Sequence, residues 1–561
     1  MKTLKIFALL TALQASADSI SMSEASRFLS HASLGADYET LQYVADLGTD
    51  DWITEQQSIP HAPIRPLAEQ FVSENQHIDN IDQRPHVFRF ALWNQLLGGS
   101  QLLRYRVALA LSEIMVISDN VANIRQNPVG MADYYDMLAR NAFGNFRTLI
   151  EEVTMHPIMG IYLSHAGNAK ADPETGSFPD ENYAREVMQL FTIGLFELNM
   201  DGTRKLDENG EPIPTYDNED ITNFARVFTG ITYDFSILRL ARGNVSDEAA
   251  FELVQRPRFA NFEAPMVTVD AFHDTDTKYL LNGINLDPGQ SAAADISAAL
   301  DNLFLHPNTP PFISRLLIQR LSTSNPSPSY IQRVAEVFAN NGNGIRGDLG
   351  AVVRAILTDP EALRTDLASN HRGKMREPYF TMMRIVRGFN GISADGYYYY
   401  YSNNDAAMLG QRPFSSPSVF NFFLPDYSPA GLLADNNLLA PEFQIANTQT
   451  LPGTANLIEN LLYYDNRSER LLERKMANGN ETFQGPYLKP WVLDLDDEIA
   501  IASDTNALID RIALILNAGT LSDQTRSNIY DAIDSIRDAP EFKVKTAIYL
   551  VCLSPEFVIQ K

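Results

Sequence analysis

Cysteine is almost missing from this chain of 561 residues: Cys552 stands alone, so no internal disulfide can form and a zinc–cysteine site is excluded by count. Small exported domains often need disulfides because their cores are thin, but a chain of this length, 45% hydrophobic, buries enough without them. Cys552 itself lies in the apolar run Ala547 to Leu553, which reads as a buried, inert thiol. Positive charge is also short. The formal balance is −26, and two units more negative without Lys2 and Lys5, which repels phosphate backbones and disfavours nucleic acid and anionic membrane surfaces. No apolar run after the N-terminus reaches the ~18 residues of a membrane helix, so no membrane insertion is expected. His-Glu-x-x-His, Gly-x-Ser-x-Gly, Walker and dinucleotide motifs are absent, which leaves conventional zinc-protease, α/β-hydrolase, NTPase and Rossmann readings unsupported.

What is present begins with a leader. Lys2 and Lys5 precede the apolar stretch Ile6 to Leu13, and Ala15-Ser16-Ala17 is a small-x-small cleavage site before Asp18. Residues 1–17 therefore read as a signal peptide, and the expected location is the bacterial periplasm or the exterior.

The body, residues 18–561, reads as mainly α: one large multi-helix domain, with room for two lobes. Apolar residues recur at three- and four-residue spacing over Leu102 to Ile117, Asp133 to Leu138, Asn182 to Phe191, Pro311 to Leu321, Ile331 to Ala339 and Leu349 to Leu357. Asp359-Pro360-Glu361 and Ser554-Pro555-Glu556 each put a capping residue before a first-turn proline and an acid, a helix–cap–helix idiom used twice. Between Leu195 and Tyr216 the turn pairs Asp201-Gly202 and Asn209-Gly210 predict a small β-hairpin excursion near residues 195–216. Asp207-x-Asn209-Gly210 faintly resembles a calcium loop, but Asn218 stands where its terminal glutamate belongs.

The chemistry-bearing stretch is Pro179 to Gly194. Asn182, Glu186 and Gln189 fall on one helical face beside Arg185, while Tyr183, Val187 and Leu190 make an apolar face. The stripe has two readings. One is a buried network that fixes helix register. The other is a cleft in which Glu186 is a metal ligand or general base and Arg185 holds an anion. Asn182-Tyr183-Ala184-Arg185 is echoed by Asn223-Phe224-Ala225-Arg226, which suggests two packed helices with Arg185, Glu186 and Arg226 between them. His156 and His306 precede prolines at helix starts, where capping roles are common. His273-Asp274 sits in a polar turn and, with Glu186, is the candidate set for a divalent metal or acid–base site. The five tyrosines Tyr397 to Tyr401 either plug a seam or line a groove, with Tyr397 and Tyr399 as candidate ligand contacts.

Asp180 to Gly194 resembles the hallmark of the bacterial family called domain of unknown function 1800. Ala225-Arg226-Val227-Phe228-Thr229-Gly230, Phe272-His273-Asp274, Leu305-His306-Pro307, Lys374-x-x-Glu377-Pro378 and Leu409-Gly410-Gln411-x-Pro413-Phe414 are similar to its other motifs, in the same order. The resemblance implies an exported, largely helical protein, often encoded beside an exported sulfatase-like protein, with no established reaction. Where many relatives carry a Trp-His-Asn-His-type stretch, this chain reads Ala108 to Ile114, with Glu113 as the one oxygen donor. Two functions remain. One is an envelope or extracellular binding and assembly protein working with a sulfatase-like partner. The other is an exported, metal-dependent enzyme acting on polysaccharide through Glu186, Arg185, Arg226, His273 and Asp274.

Overall fold

The computed structural model describes residues 19–77, 79–363, 373–393, 396–398, 408–463 and 491–561. The leader and Tyr399 lie outside the described residues. The protein is mainly α, with a few short antiparallel strand pairs. The expected helices form, Leu349–Leu357 with its expected bounds and the others with shifted ends: Leu102–Ser112, Pro128–Arg140, Asn182–Gln189, Thr309–Leu321 and Pro328–Ala339. Their N-termini follow local chemistry. Ser327 accepts from the Tyr330 amide ahead of Pro328, and Asp348 accepts from the Ala351 amide. One connected apolar cluster runs from Ala25 to Phe557, with Trp52, Tyr134, Tyr135 and Tyr183 among its largest members.

The doubled idiom is also a doubled tertiary contact. Glu361 reaches back to Ser327, the N-cap of Pro328–Ala339, accepting from its amide at 3.0 Å and its hydroxyl at 2.6 Å. Glu556 does the same for Ser522, the N-cap of Asp523–Ile533, accepting from its amide at 3.1 Å. The strands after these two units then pair, Lys374 opposite Gln560, and tie the chain's end to its middle.

A second rule binds helices to one another. Buried and half-buried arginines donate to carbonyls that helix C-termini leave free. Arg384 Nε bonds Leu516 O at 2.6 Å at the end of Thr505–Asn517, and Arg387 Nε bonds Leu96 O at 2.7 Å at the end of His86–Gly98. Arg346 Nε bonds Phe304 O at 2.9 Å, and Arg104 Nη1 bonds Ala139 O at 3.0 Å. Each such contact satisfies an orphan acceptor and places positive charge at the negative end of a helix dipole.

The excursion at 195–216 has three legs rather than the two of a hairpin. Glu197 N donates to Ile213 O, Ile213 N to Lys205 O, and Lys205 N to Glu197 O, closing a ring of antiparallel contacts. Both turn pairs form, and Asp207 Oδ1 accepts from the Asn209 and Glu211 amides as a local turn. Tyr397 packs on Phe90 with ring centroids 5.9 Å apart, and Tyr398 N donates to Asn94 Oδ1 at 3.0 Å, so these tyrosines lie against His86–Gly98. Cys552 is buried, and burial pushes its thiol pKa up.

Candidate functional site

The two echoed helices, Asn182–Gln189 and Asn218–Val227, do pack together, with Tyr183 edge-on to Phe228 at 4.9 Å. Their charges go separate ways, contrary to the expected meeting of Arg185, Glu186 and Arg226. Arg185 pairs with Glu181 at 3.3 Å near the surface. Arg226 turns away and grips Asp274.

That grip belongs to a closed network. Arg226 Nε and Nη2 each donate to a different Asp274 oxygen at 2.9 Å, and Nη1 donates to Thr277 O at 3.1 Å. Burial opposes the Asp274 charge, but the Arg226 hydrogen bonds win and hold its carboxyl below the usual range. His273 is fully buried. Its Nε2 lies 3.1 Å from Asp295 Oδ2, and its Nδ1 is 3.0 Å from Thr229 O and 3.1 Å from Thr229 Oγ1. Lys278 Nζ also bonds Asp295, at 2.7 Å. Asp295, His273 and Thr229 thus line up like a nucleophilic triad. Yet the Thr229 hydroxyl already donates to Arg226 O at 2.7 Å and accepts from Asp274 N at 2.9 Å, and no solvent reaches it. The arrangement is a latch between a helix and the 270–279 turn.

These residues do not fit a divalent metal. Both Asp274 oxygens face Arg226, both His273 nitrogens are engaged, and Lys278 stands against Asp295. Among the described residues no three His, Cys, Asp or Glu side chains converge on a metal position.

Glu186 occupies a different place. It is 7% exposed, and its Oε2 is buried without a hydrogen-bond partner. Burial raises its pKa, against the pull of Arg185. Its charge is felt by Tyr162 and Tyr216: burial lifts both phenols to about 12, and the Glu186 charge adds to the shift in each. Asn182 and Gln189, at the two ends of the stripe, are exposed and half-buried. The stripe is therefore graded, with polar ends and one unsatisfied carboxyl at its centre.

A second acidic centre was not anticipated as a site. Glu113 and Glu377 are hydrogen-bonded carboxyl to carboxyl in the interior. Tyr379 Oη donates to Glu113 Oε1 at 2.6 Å, and Gln411 Nε2 donates to Glu377 Oε2 at 2.5 Å. Arg320 Nε stands 2.9 Å from Glu113 Oε2, and Lys374 Nζ is 3.4 Å from Glu377 and 3.1 Å from Glu442. Three of these residues sit in stretches that the sequence had flagged only as motifs, Lys374-x-x-Glu377 and Gln411-x-Pro413. The histidine roles were legible: His156 Nδ1 accepts from Ile158 N at the start of its helix, and His306 Nδ1 accepts from Asn308 N.

A family model described as "Protein of unknown function (DUF1800)" matches residues 27–559. Nothing among curated proteins or solved structures matches the chain. No described helix is long and apolar enough to cross a membrane.

Proposed function

Since the chain belongs to the DUF1800 family, which is described only as of unknown function, we propose a function from its own geometry: an exported binding protein of the envelope or exterior that takes a hydroxyl-rich ligand, a polysaccharide segment, at Glu186. The observation that carries this reading is the buried Glu186 Oε2 without a partner, its charge felt by Tyr162 and Tyr216. A buried polar atom left unsatisfied costs about 1–3 kcal/mol, and a ligand hydroxyl placed against it recovers that cost. The two phenol rings add amphipathic surface of the kind that covers the apolar face of a sugar. The strong negative charge argues against phosphate-rich ligands.

The enzyme reading would use the same raised carboxyl as a general acid. Glycoside hydrolysis needs a second carboxyl about 5–9.5 Å away. Among the described residues the groups whose charge interacts with Glu186 are Arg185, Tyr162 and Tyr216, and none of them is a carboxyl. Binding is therefore preferred, and a sulfatase-like exported enzyme is the partner that would supply the chemistry.

Calorimetry with neutral oligosaccharide fragments of the cell's own envelope and exopolysaccharides tests this. Saturable binding by at least one fragment is expected. Failure of every fragment to bind the folded mature protein overturns the reading.

A further inference from the structure

The Glu113–Glu377 pair joins parts of the chain that are remote in sequence. Glu113 and Arg106 come from the end and body of Leu102–Ser112, Arg320 from Thr309–Leu321, and Lys374 from the strand that pairs with the C-terminus. Glu377 and Tyr379 lie at the start of Pro378–Gly388, Gln411 lies in the following loop, and Glu442 in a short 3-10 turn. Arg106, Glu113, Arg320, Lys374, Glu377 and Glu442 are all nearly inaccessible. His31 approaches the same region from Met22–Ala32, its Nδ1 3.3 Å from Leu321 O. Burial drives its pKa down to about 3, so at neutral pH it adds no charge.

Three acids thus face three bases, and full ionisation would balance overall. It does not balance locally. Two carboxylates in hydrogen-bond contact inside a protein repel strongly, whereas one proton between them turns repulsion into a hydrogen bond. One base meets each acid, Arg320 at Glu113 and Lys374 at Glu377, but their donors are divided among other partners. Lys374 is shared with Glu442 and with Arg320 O at 3.0 Å, and Arg106 Nη2 donates to Arg320 O at 2.5 Å. Arg320 Nη1 has no hydrogen-bond partner, and the Arg320 guanidinium lies 4.9 Å over the Phe423 ring instead.

A small cleft lies beside the groups that bond the pair. A partly open cleft with room for about one water is lined by Trp93, Tyr379, Gln411 and Arg412, among others. Tyr379 and Gln411 are the groups that donate to the two carboxyls. The next residues of that loop are pinned too: Arg412 and Ser415 bond Asp119, at 3.0 and 2.6 Å.

We propose that Glu113 and Glu377 form a proton-operated lock: one shared proton holds the junction of the three helices closed, and its loss loosens the Gln411–Ser415 segment beside the cleft. Burial and the Glu377 charge push the Glu113 pKa well above the usual carboxylate range, so the lock opens as pH rises. An exported protein meets pH values that vary on this scale, whereas a buried ion network of ordinary carboxylates would not respond to them.

Two measurements test the lock. Infrared difference spectroscopy on the unaltered protein should show a protonated carboxylic acid at neutral pH that titrates away as pH rises. The second reads Trp93 emission and quenching, with Trp52→Phe and Trp491→Phe removing the other indoles. Its signal should shift by tens of per cent between about pH 6 and about pH 9, and Glu113→Gln should abolish the shift and keep the low-pH signal throughout. Glutamine can accept from Tyr379 and donate to Glu377, as the protonated acid does. The proposal is overturned if no protonated acid is seen at neutral pH, if Trp93 is flat over the range, or if the shift persists in folded Glu113→Gln. The infrared result stands even where the variant fails to fold.

Discussion

Arg226 and Asp274 face each other through two parallel hydrogen bonds of 2.9 Å, and this fork fastens Asn218–Val227 to the turn that buries His273. Removing one partner leaves the other charged and largely buried. Arg226→Ala is expected to cost about 2–4 kcal/mol in urea unfolding, and Asp274→Asn a comparable amount. The double variant should cost clearly less than the sum. Additive losses below about 0.5 kcal/mol each would show that the fork is incidental.

Glycine matters at Gly230 and not at Gly210, although both have positive φ, +79° and +82°. A Cβ at Gly230 would meet Val269 O at 2.8 Å and His273 N at 3.1 Å, while at Gly210 nothing lies within 4 Å. Gly210→Ala should lose about 1 kcal/mol, from backbone strain alone. Gly230→Ala should lose at least about 2–3 kcal/mol, because the backbone behind it must move. Equal losses in thermal unfolding would contradict the packing described for the latch.

Buried histidines set the acid limb of stability. Burial lowers His31 to about 3 and His165 and His306 to about 4. Each is neutral in the native state, while the unfolded chain takes up a proton below about 6.5. Their contribution is complete above that value and is lost as pH falls from about 6.5 towards 4. His165 stacks on Tyr183 and meets Thr154 O at 2.8 Å. His165→Gln should flatten the fall in Tm over this window by about one proton's worth. An unchanged slope would mean that His165 is not neutral in the fold.

Arg384 caps the end of Thr505–Asn517, where Ser26 Oγ also donates to Leu514 O at 2.6 Å. Its guanidinium bonds Leu516 O at 2.6 Å and Ile515 O at 3.2 Å. Arg384→Met keeps the apolar stem but orphans two carbonyls, so a loss of about 2–3 kcal/mol is expected. Arg384→Lys should recover only part of it, because an ammonium lacks the planar fork. Full rescue by lysine, read in chemical denaturation, would reduce the contact to simple charge.

Much of the fold was legible because its signals are local. Caps such as Ser327 and Asp348, and the apolar spacing of Leu349–Leu357, act within one or two turns of the chain. The repeated Asp359-Pro360-Glu361 and Ser554-Pro555-Glu556 idiom was visible, but not that each acid binds an earlier N-cap, which is a tertiary event. The stripe on Asn182–Gln189 showed that Glu186 would be internal, since its period follows from helix geometry. It did not show that Arg226 would turn towards Asp274, because both partners of an arginine lie within reach of its long stem. Glu113 and Glu377 had no periodic signal. Each stood out in its own stretch, Glu113 as an oxygen donor and Glu377 in a motif, but they meet only when separate elements converge.

The central claim is that the free oxygen of Glu186 faces a hydroxylated ligand. Its most direct test is calorimetric affinity for one bound oligosaccharide fragment, compared across the unaltered protein, Glu186→Gln and Glu186→Ala. The account predicts a loss of about tenfold or more for alanine, from one lost hydrogen bond of about 1.4 kcal/mol or more, with glutamine retaining most of the affinity. Equal affinity in all three proteins would place the ligand elsewhere and leave the stripe as packing.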